Sequence, residues 1–363
     1  MQRPKEPAVV AGKKREKKEK GMIAVNRSKL KDKYIDKIHI NHDLNRSLVS
    51  FQANKKLPFF RWFKYKEGFS APMMDYFISH SGLNGQSKFL DPFSGSGVAL
   101  FSALSKGMSP TGIELLPVGS YVINNRLRAT KVPIKDIEKA LEDCLSLAFK
   151  KCTSTNNKFK HLTITKGAFP KETESNLINY LCYCKDQFTD DNSISLLTFA
   201  AFCILETISY TRKDGQYLRW DYRANKNQNS QTKFDKGKIP SFREAIINKL
   251  SEIREDLLFW HSQEALTRSN GINLLEGSVL ELLPELASKS LNIVITSPPY
   301  CNRYDYTRTY ALELAFLGVG DDKLKSLRQE LLTCTVENHE KTESLRNIYI
   351  SKKRLKDYET IVN

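Results

Sequence analysis

The chain has 363 residues, 40% of them hydrophobic, with 57 Lys and Arg against 41 Asp and Glu and a formal charge of +16. That apolar share supports a packed core and excludes wholesale disorder, and the length allows two domains or one domain with a large insertion. So large a cationic surplus points to a polyanionic partner, nucleic acid foremost.

In chain order, residues 1–21 hold eight Lys or Arg and three Glu with almost nothing apolar, and read as a disordered basic arm. Residues 51–80 are dense in aromatics and end in a helix expected to start near Ser70-Ala71-Pro72, with Pro72 suited to a first turn. "SKFLDPFSGSGVALFSALSKG" follows as strand, glycine loop and helix. Phe89 and Leu90 fall in the strand, Gly95 and Gly97 in the loop, and Val98 to Lys106 in the helix. A second short strand ends at Glu114.

Glycines between a strand and a helix let the backbone approach a ligand at the carboxyl end of a sheet strand, where open α/β folds bind. Glu114 lies seventeen residues after Gly97, a place from which an acid accepts hydrogen bonds from ribose hydroxyls. Leu100 replaces the third glycine of a dinucleotide loop and no Gly-Lys-Ser/Thr follows, so the expected ligand is a nucleoside that need not carry phosphate.

From about 115 to 270 the pattern is mostly helical. Ser209–Lys238 interrupts it with eight Lys or Arg against three Asp, interleaved with Tyr210, Tyr217, Trp220 and Tyr222. Aromatics mixed with Arg212, Lys213, Arg219 and Arg223 suit base stacking and phosphate contact. Packing of the same residues on a helix surface is the structural alternative. Strand patterns return at "GINLLEG" and "SLNIVITSPPY".

The second of these strands stops at Ser297-Pro298-Pro299-Tyr300. Proline lacks an N–H and fixes its own φ, so Pro-Pro makes a rigid exit whose carbonyls are free to accept hydrogen bonds. A rigid acceptor beside an aromatic ring suits a flat ligand bearing an amino group. Arg303 and Arg308 follow within reach of the turn, either gripping phosphates or forming a solvated polar loop.

The seven cysteines are scattered without a CxxC pair, and the six histidines do not cluster. No zinc site is expected, and reduced thiols in a cytoplasmic protein are. No apolar run is read as a membrane span or a signal core.

"DPFSGSG" together with "TSPPY" resembles the motif pair of S-adenosylmethionine-dependent DNA amino-methyltransferases, and the serine form of the second motif is similar to the branch that methylates cytosine N4. "FRWFKYKEGFS" resembles the segment that precedes the glycine loop in that family. The resemblance covers about 51–120 and 270–318. It implies an α/β fold with a Rossmann-like class I methyltransferase sheet and a mostly helical insert. The implied organisation is a basic arm over 1–21, a cofactor-binding half over 22–120 and a helical insert over 121–270 that is a candidate for target recognition. A catalytic half over 271–318 and a polar helical tail over 319–363 complete it.

The same resemblance implies that Phe69, Ser70, Asp91, Pro92, Phe93, Gly95, Gly97, Glu114 and Ser278 bind S-adenosylmethionine. It implies catalysis by Ser297, Pro298, Pro299 and Tyr300. Arg212, Lys213, Arg219, Trp220, Arg223, Arg303 and Arg308 are the candidate contacts to double-stranded DNA, and no metal is required. Gly277-Ser278-Val279 departs from the family's "GDS" turn.

Seven strands are expected in such a sheet and four can be placed, near Phe89–Leu90, Thr111–Ile113, Ile272–Leu275 and Asn292–Ile295. The 63 residues after Tyr300 read as helices. The expectation is therefore a fragment or one half of a split enzyme, with a second polypeptide or further segment completing the sheet. A cognate restriction nuclease is a further expected partner. Three functions stay open: a cytosine-N4 DNA methyltransferase, an amino-methyltransferase of DNA adenine or of a tRNA guanine amine, and a non-catalytic DNA-binding half.

Overall fold

The computed structural model describes residues 28–37, 41, 43–45, 48, 51–66, 68–83, 85–146, 158–214, 217–225, 233–261, 271–299, 305–331 and 339–351. The chain divides into two units, Met1–Asn45 and Arg46–Asn363. In the first, a short exposed helix over 28–34 runs into a 3-10 turn, Ile35–Lys37. The basic arm expected over 1–21 lies outside the described residues.

The second unit is mixed α/β, built on a four-stranded parallel sheet of Rossmann-like type. Its strands are β1 (Lys88–Asp91), β2 (Ser109–Glu114), β5 (Asn273–Glu276) and β6 (Ile293–Val294), in the spatial order β5-β2-β1-β6. All four coincide with the strands expected from the sequence. Phe89 pairs with Pro110 and Ile293, and Ile113 with Leu275. The order reverses beside β1: β2 and β5 lie on one side and β6 on the other. The carboxyl ends of β1 and β6 therefore flank a topological switch point, where open α/β sheets form a crevice.

Helix α1 (Ala71–His80) starts where Ser70 caps it. The Ser70 Oγ accepts from the Met73 N–H at 3.2 Å and donates to the Leu48 carbonyl, and Pro72 occupies the first turn. Helix α2 (Val98–Ser105) carries the chain from β1 to β2 and buries Val98, Ala99, Leu100 and Ala103 under the sheet. Helix α3 (Pro117–Ala129) follows β2.

The segment 130–261 supplies α4 (Ile134–Ser146), α5 (Lys171–Gln187), α6 (Asp191–Ile208) and α7 (Phe242–His261). These pack into one apolar core with the aromatic stretch Phe59–Tyr65. Helix α6 is 18 residues long and apolar enough to cross a membrane by length and composition, which the sequence reading missed. Ten of its side chains are buried in this core. The Asp256 carboxylate of α7 pins the aromatic stretch. It accepts from the Phe59 N–H at 2.9 Å, the Trp62 Nε1–H at 2.7 Å and the Arg61 guanidinium at 2.5 Å.

Within the basic interruption, β3 (Thr211–Asp214) and β4 (Tyr217–Trp220) form a two-stranded antiparallel hairpin, which packs against helices through Lys213, Leu218 and Trp220. Cys144, Cys184 and Cys203 are free thiols, whereas Cys182 is disulfide-bonded, a departure from the expectation of reduced thiols throughout.

Candidate active site

A cleft of about 890 Å³, its open mouth included, lies at the carboxyl ends of β1, β2 and β6. Its walls are Tyr65, Phe69, Phe93 and Tyr306, with Leu116 and Val279 beside them. Of the residues assigned to the cofactor from sequence, Phe69, Pro92, Phe93, Gly95, Glu114 and Ser278 line it. Ser297 and Pro299 line the same cleft, so the structure brings the glycine loop and the proline turn to one cavity.

Ser70, Asp91, Gly97 and Pro298 are not in its lining. Ser70 serves α1 as described. Gly97 adopts φ +77°, and a Cβ there would lie 2.6 Å from the Ile123 Cγ1. Its glycine identity serves the left-handed backbone and the close approach of α2 to α3. Gly95 at φ +53° faces the cleft, where a Cβ would lie 3.0 Å from the Tyr65 ring. Tyr300 and Arg303 lie outside the described residues.

Asp91 is fully buried below the cleft and ties its two halves together. Its Oδ1 accepts from the Thr296 hydroxyl at 2.7 Å and from the Phe93 N–H at 3.1 Å. Burial raises its pKa to about 6, against those two bonds. Thr296 was not singled out by the sequence reading. Its position next to the Ser-Pro-Pro run is the only signal that could have found it.

Glu114 accepts from the Gly95 N–H at 2.6 Å through one oxygen and from the Leu116 N–H at 2.8 Å through the other. Burial pushes its pKa up to about 8, opposed by these N–H bonds and reinforced by the nearby Asp91. Gly119 makes the arrangement fit, since a Cβ there would lie 2.3 Å from the Gly95 carbonyl oxygen and 2.8 Å from the Glu114 carboxyl carbon. Ser278 caps the short helix α8 (Val279–Leu282), and the Gly277 N–H donates to the Glu114 carbonyl at 3.0 Å.

Tyr65 and Lys66 were missed as individual residues. The Tyr65 ring stacks on Tyr310 at 5.0 Å, and the Tyr310 hydroxyl accepts from the Lys66 N–H at 2.6 Å. Asp305 caps α9 (Tyr306–Thr309), which brings Tyr306 to the cleft, and its carboxylate lies 3.2 Å from the Arg308 Nε.

The structure corrects the DNA-contact set at Lys213. Its ammonium is buried in the interior, 2.5 Å from the Glu313 carboxylate and over the rings of Phe63 and Tyr310. It locks the hairpin to α10 (Ala311–Phe316) and is not available to phosphates. Arg223 grips the buried Asp221 through two nitrogens, at 2.6 and 2.9 Å, and Trp220 packs partly against the core. Arg212, Arg219 and Arg308 are exposed.

Over 339 residues, 90% of its length, the chain is 39% identical to the type II methyltransferase M.BsoBI of Geobacillus stearothermophilus. The chain is homologous to type II methyltransferases. It is also 44% identical over 324 residues to the type II methyltransferase M.AvaI, both from a Nostoc species and from Anabaena variabilis. The chain spans 66% of the length of M.BsoBI and 65% of that of M.AvaI, just under two thirds of these methyltransferases. No family model and no solved structure matches it.

Proposed function

We propose that this chain carries the cofactor cleft and the catalytic turn of a type II restriction-modification DNA methyltransferase that transfers a methyl group from S-adenosylmethionine to cytosine N4. The observation that carries the reading is the single cleft shared by the Gly95 loop and Ser297–Pro299, on adjacent parallel strands tied by Asp91 and Thr296. The homology to type II methyltransferases supports it.

The residues present fit such a cofactor. A carboxylate has about four acceptor positions, and two on Glu114 are filled by backbone N–H groups, leaving others for ribose hydroxyls. Phe69, Phe93 and Tyr65 provide apolar walls, and Lys66 places a cation at the lip for the amino-acid carboxylate. When bound, S-adenosylmethionine supplies an electrophilic methyl on a sulfonium.

The exocyclic amine of cytosine is a weak nucleophile because its lone pair is delocalised into the ring. Ser297 Oγ, in the cleft lining, accepts one of its hydrogens and the Pro298 carbonyl, turned in from beside that lining, accepts the other, drawing the nitrogen toward an attacking geometry; the methylated nitrogen then sheds its proton to water. Tyr300 stacks on a base flipped from the duplex. Asp91 is a positioning residue that fixes the turn through Thr296, and placing the reactants supplies most of the rate.

Among the described residues the outer edge of β6 pairs with no strand, and Val294 is 52% exposed. An uncovered apolar edge is a site for strand addition. Methyl transfer is therefore expected to strengthen when a further segment or polypeptide covers that edge.

The test is calorimetric titration of the chain with S-adenosylmethionine, followed by nucleoside analysis of duplex DNA exposed to labelled cofactor. N4-methylcytosine is the expected product. N6-methyladenine would move the assignment to the adenine branch, and methylated tRNA guanine to the tRNA reading. Cofactor binding without product, even with the β6 edge covered, would leave the DNA-binding half. No cofactor binding at all would remove the proposal.

A further inference from the structure

A second cavity of about 1040 Å³, its open mouth included, lies across an aromatic partition from the cleft. Phe63 lines this groove, Tyr65 lines the cleft, and the Tyr310 ring meets both, at 6.2 and 5.0 Å. Half of the groove's fourteen lining residues are Lys or Arg, and Glu206 is the one acid among them.

Three of these cations are neutralised from behind: Arg61 by Asp256, Lys213 by Glu313 and Lys249 by Glu252. The others are not. Lys64 and Arg212 form no ion pair among the described residues. The Lys236 ammonium donates to the carbonyls of Glu206, Thr207 and Ser209, at the end of α6, and meets no carboxylate. Lys238 is 78% exposed with only a surface pair to Glu244, an interaction of little strength.

Two further features show that the free chain carries this charge at a cost. Arg212 lies directly opposite Arg219 on the hairpin, where like charges repel, and the Asp214 carboxylate, 3.4 Å from Arg219, offsets part of this. Burial pushes the Lys236 ammonium down to about 8 and lowers that of Lys64, with Arg212 acting in the same direction on both. An anion in the groove offsets the repulsion that Arg212 exerts on Lys64 and Lys236.

We propose that this groove binds backbone phosphates of the DNA strand whose base enters the neighbouring cleft, through Lys64 and Arg212, with Lys238 extending the track. The inference rests on the proposed function. Lys64 faces the groove and Lys66 the cleft, and two residues span at most about 7 Å. A nucleotide seated in the cleft thus has its neighbouring phosphate within reach of the groove.

The test compares the wild-type chain with a Lys64→Gln/Arg212→Gln variant. Binding of a fluorescent mixed-sequence duplex is followed by anisotropy as salt is raised, and cofactor affinity by calorimetry. Each true phosphate contact contributes about 0.9 to the slope of log affinity against log salt, so the variant's slope is expected to shallow by ~1.8. Cofactor affinity is expected to stay as in the wild type, and Lys64→Arg/Arg212→Lys to restore the slope. Lys171→Gln/Lys185→Gln, two exposed changes on α5, is the comparison and is expected to leave the slope intact.

An unchanged slope in the groove variant, or an equal loss in the comparison variant, overturns the groove assignment. So does absence of duplex binding by the wild-type chain at about 50 mM salt. In each case, retained binding of S-adenosylmethionine leaves the cofactor cleft standing, whereas a wild-type chain that binds no cofactor removes the proposed function itself.

Discussion

The inner pair of strands, β1 and β2, and the outer pair, β5 and β6, belong to one parallel sheet yet sit in different surroundings. Phe89 and Leu90 of β1 and Ile113 of β2 are buried to within 1% exposure. No residue of β5 or β6 is fully buried, and Val294 is 52% exposed. The outer strand is no less apolar in sequence: "KFLD" on one side holds two apolar residues, "NIVI" on the other three. Apolar character made all four strands pair, but burial needs a covering layer. Helix α2 supplies that layer over the inner pair, whereas α3, which touches β5 as well as β2, leaves the outer strands only partly covered. The functional groups follow the same division. The glycine loop grows from the rigid inner strands, and the Ser-Pro-Pro turn from an outer one, steadied by the Asp91–Thr296 bond across the boundary.

Phe89→Ala gives the largest contrast. Truncating a fully buried aromatic costs about 3–5 kcal/mol, and urea unfolding is expected to show it. A loss no greater than that from Val294→Ala would mean that the inner strands are as loosely covered as the outer ones.

The pH dependence probes the buried acid of the inner pair. The Glu114 pKa is raised from 4.5 to about 8, so between those values the folded chain keeps a proton that the unfolded chain has lost. Stability of the ligand-free chain therefore falls as pH rises through that window, by up to ~1.4 kcal/mol per unit, and levels off above it. Asp91, raised to about 6, steepens the acidic part of the fall. Thermal melts of Glu114→Gln should show a shallower profile. An identical profile would place the titration elsewhere.

Thr296→Val removes the bond across the boundary. Loss of about 0.5–1.5 kcal/mol is expected, with methyl transfer falling more than cofactor affinity, because the turn and not the cleft wall is released. Equal loss of both would make Thr296 part of the cofactor wall.

The smallest effect is expected at the open edge. Val294→Thr should stay within about 0.5 kcal/mol, as exposed substitutions do. If adding a segment that pairs with β6 turns the same change into a clear loss, the edge has been covered.

Much of this molecule was written in local pattern. The four strands, the helix after the glycine loop, the cap at Ser70 and the proximity of Glu114 to Gly95 all follow from short-range signals: turn glycines, capping residues and apolar runs between polar breaks. Such signals act over a few residues and survive in any context. The tertiary structure decided what no local pattern holds. It set Ile123 of another helix against Gly97, a close approach that no local pattern announces. It buried Lys213, which reads as a surface cation in sequence, because Glu313 lies a hundred residues away and meets it in the core. It placed Lys64 beside Arg212 and Lys236, three cations from distant segments, around one groove. Charge and apolarity are properties of residues, but neutralisation and burial depend on neighbours that only the folded chain brings together.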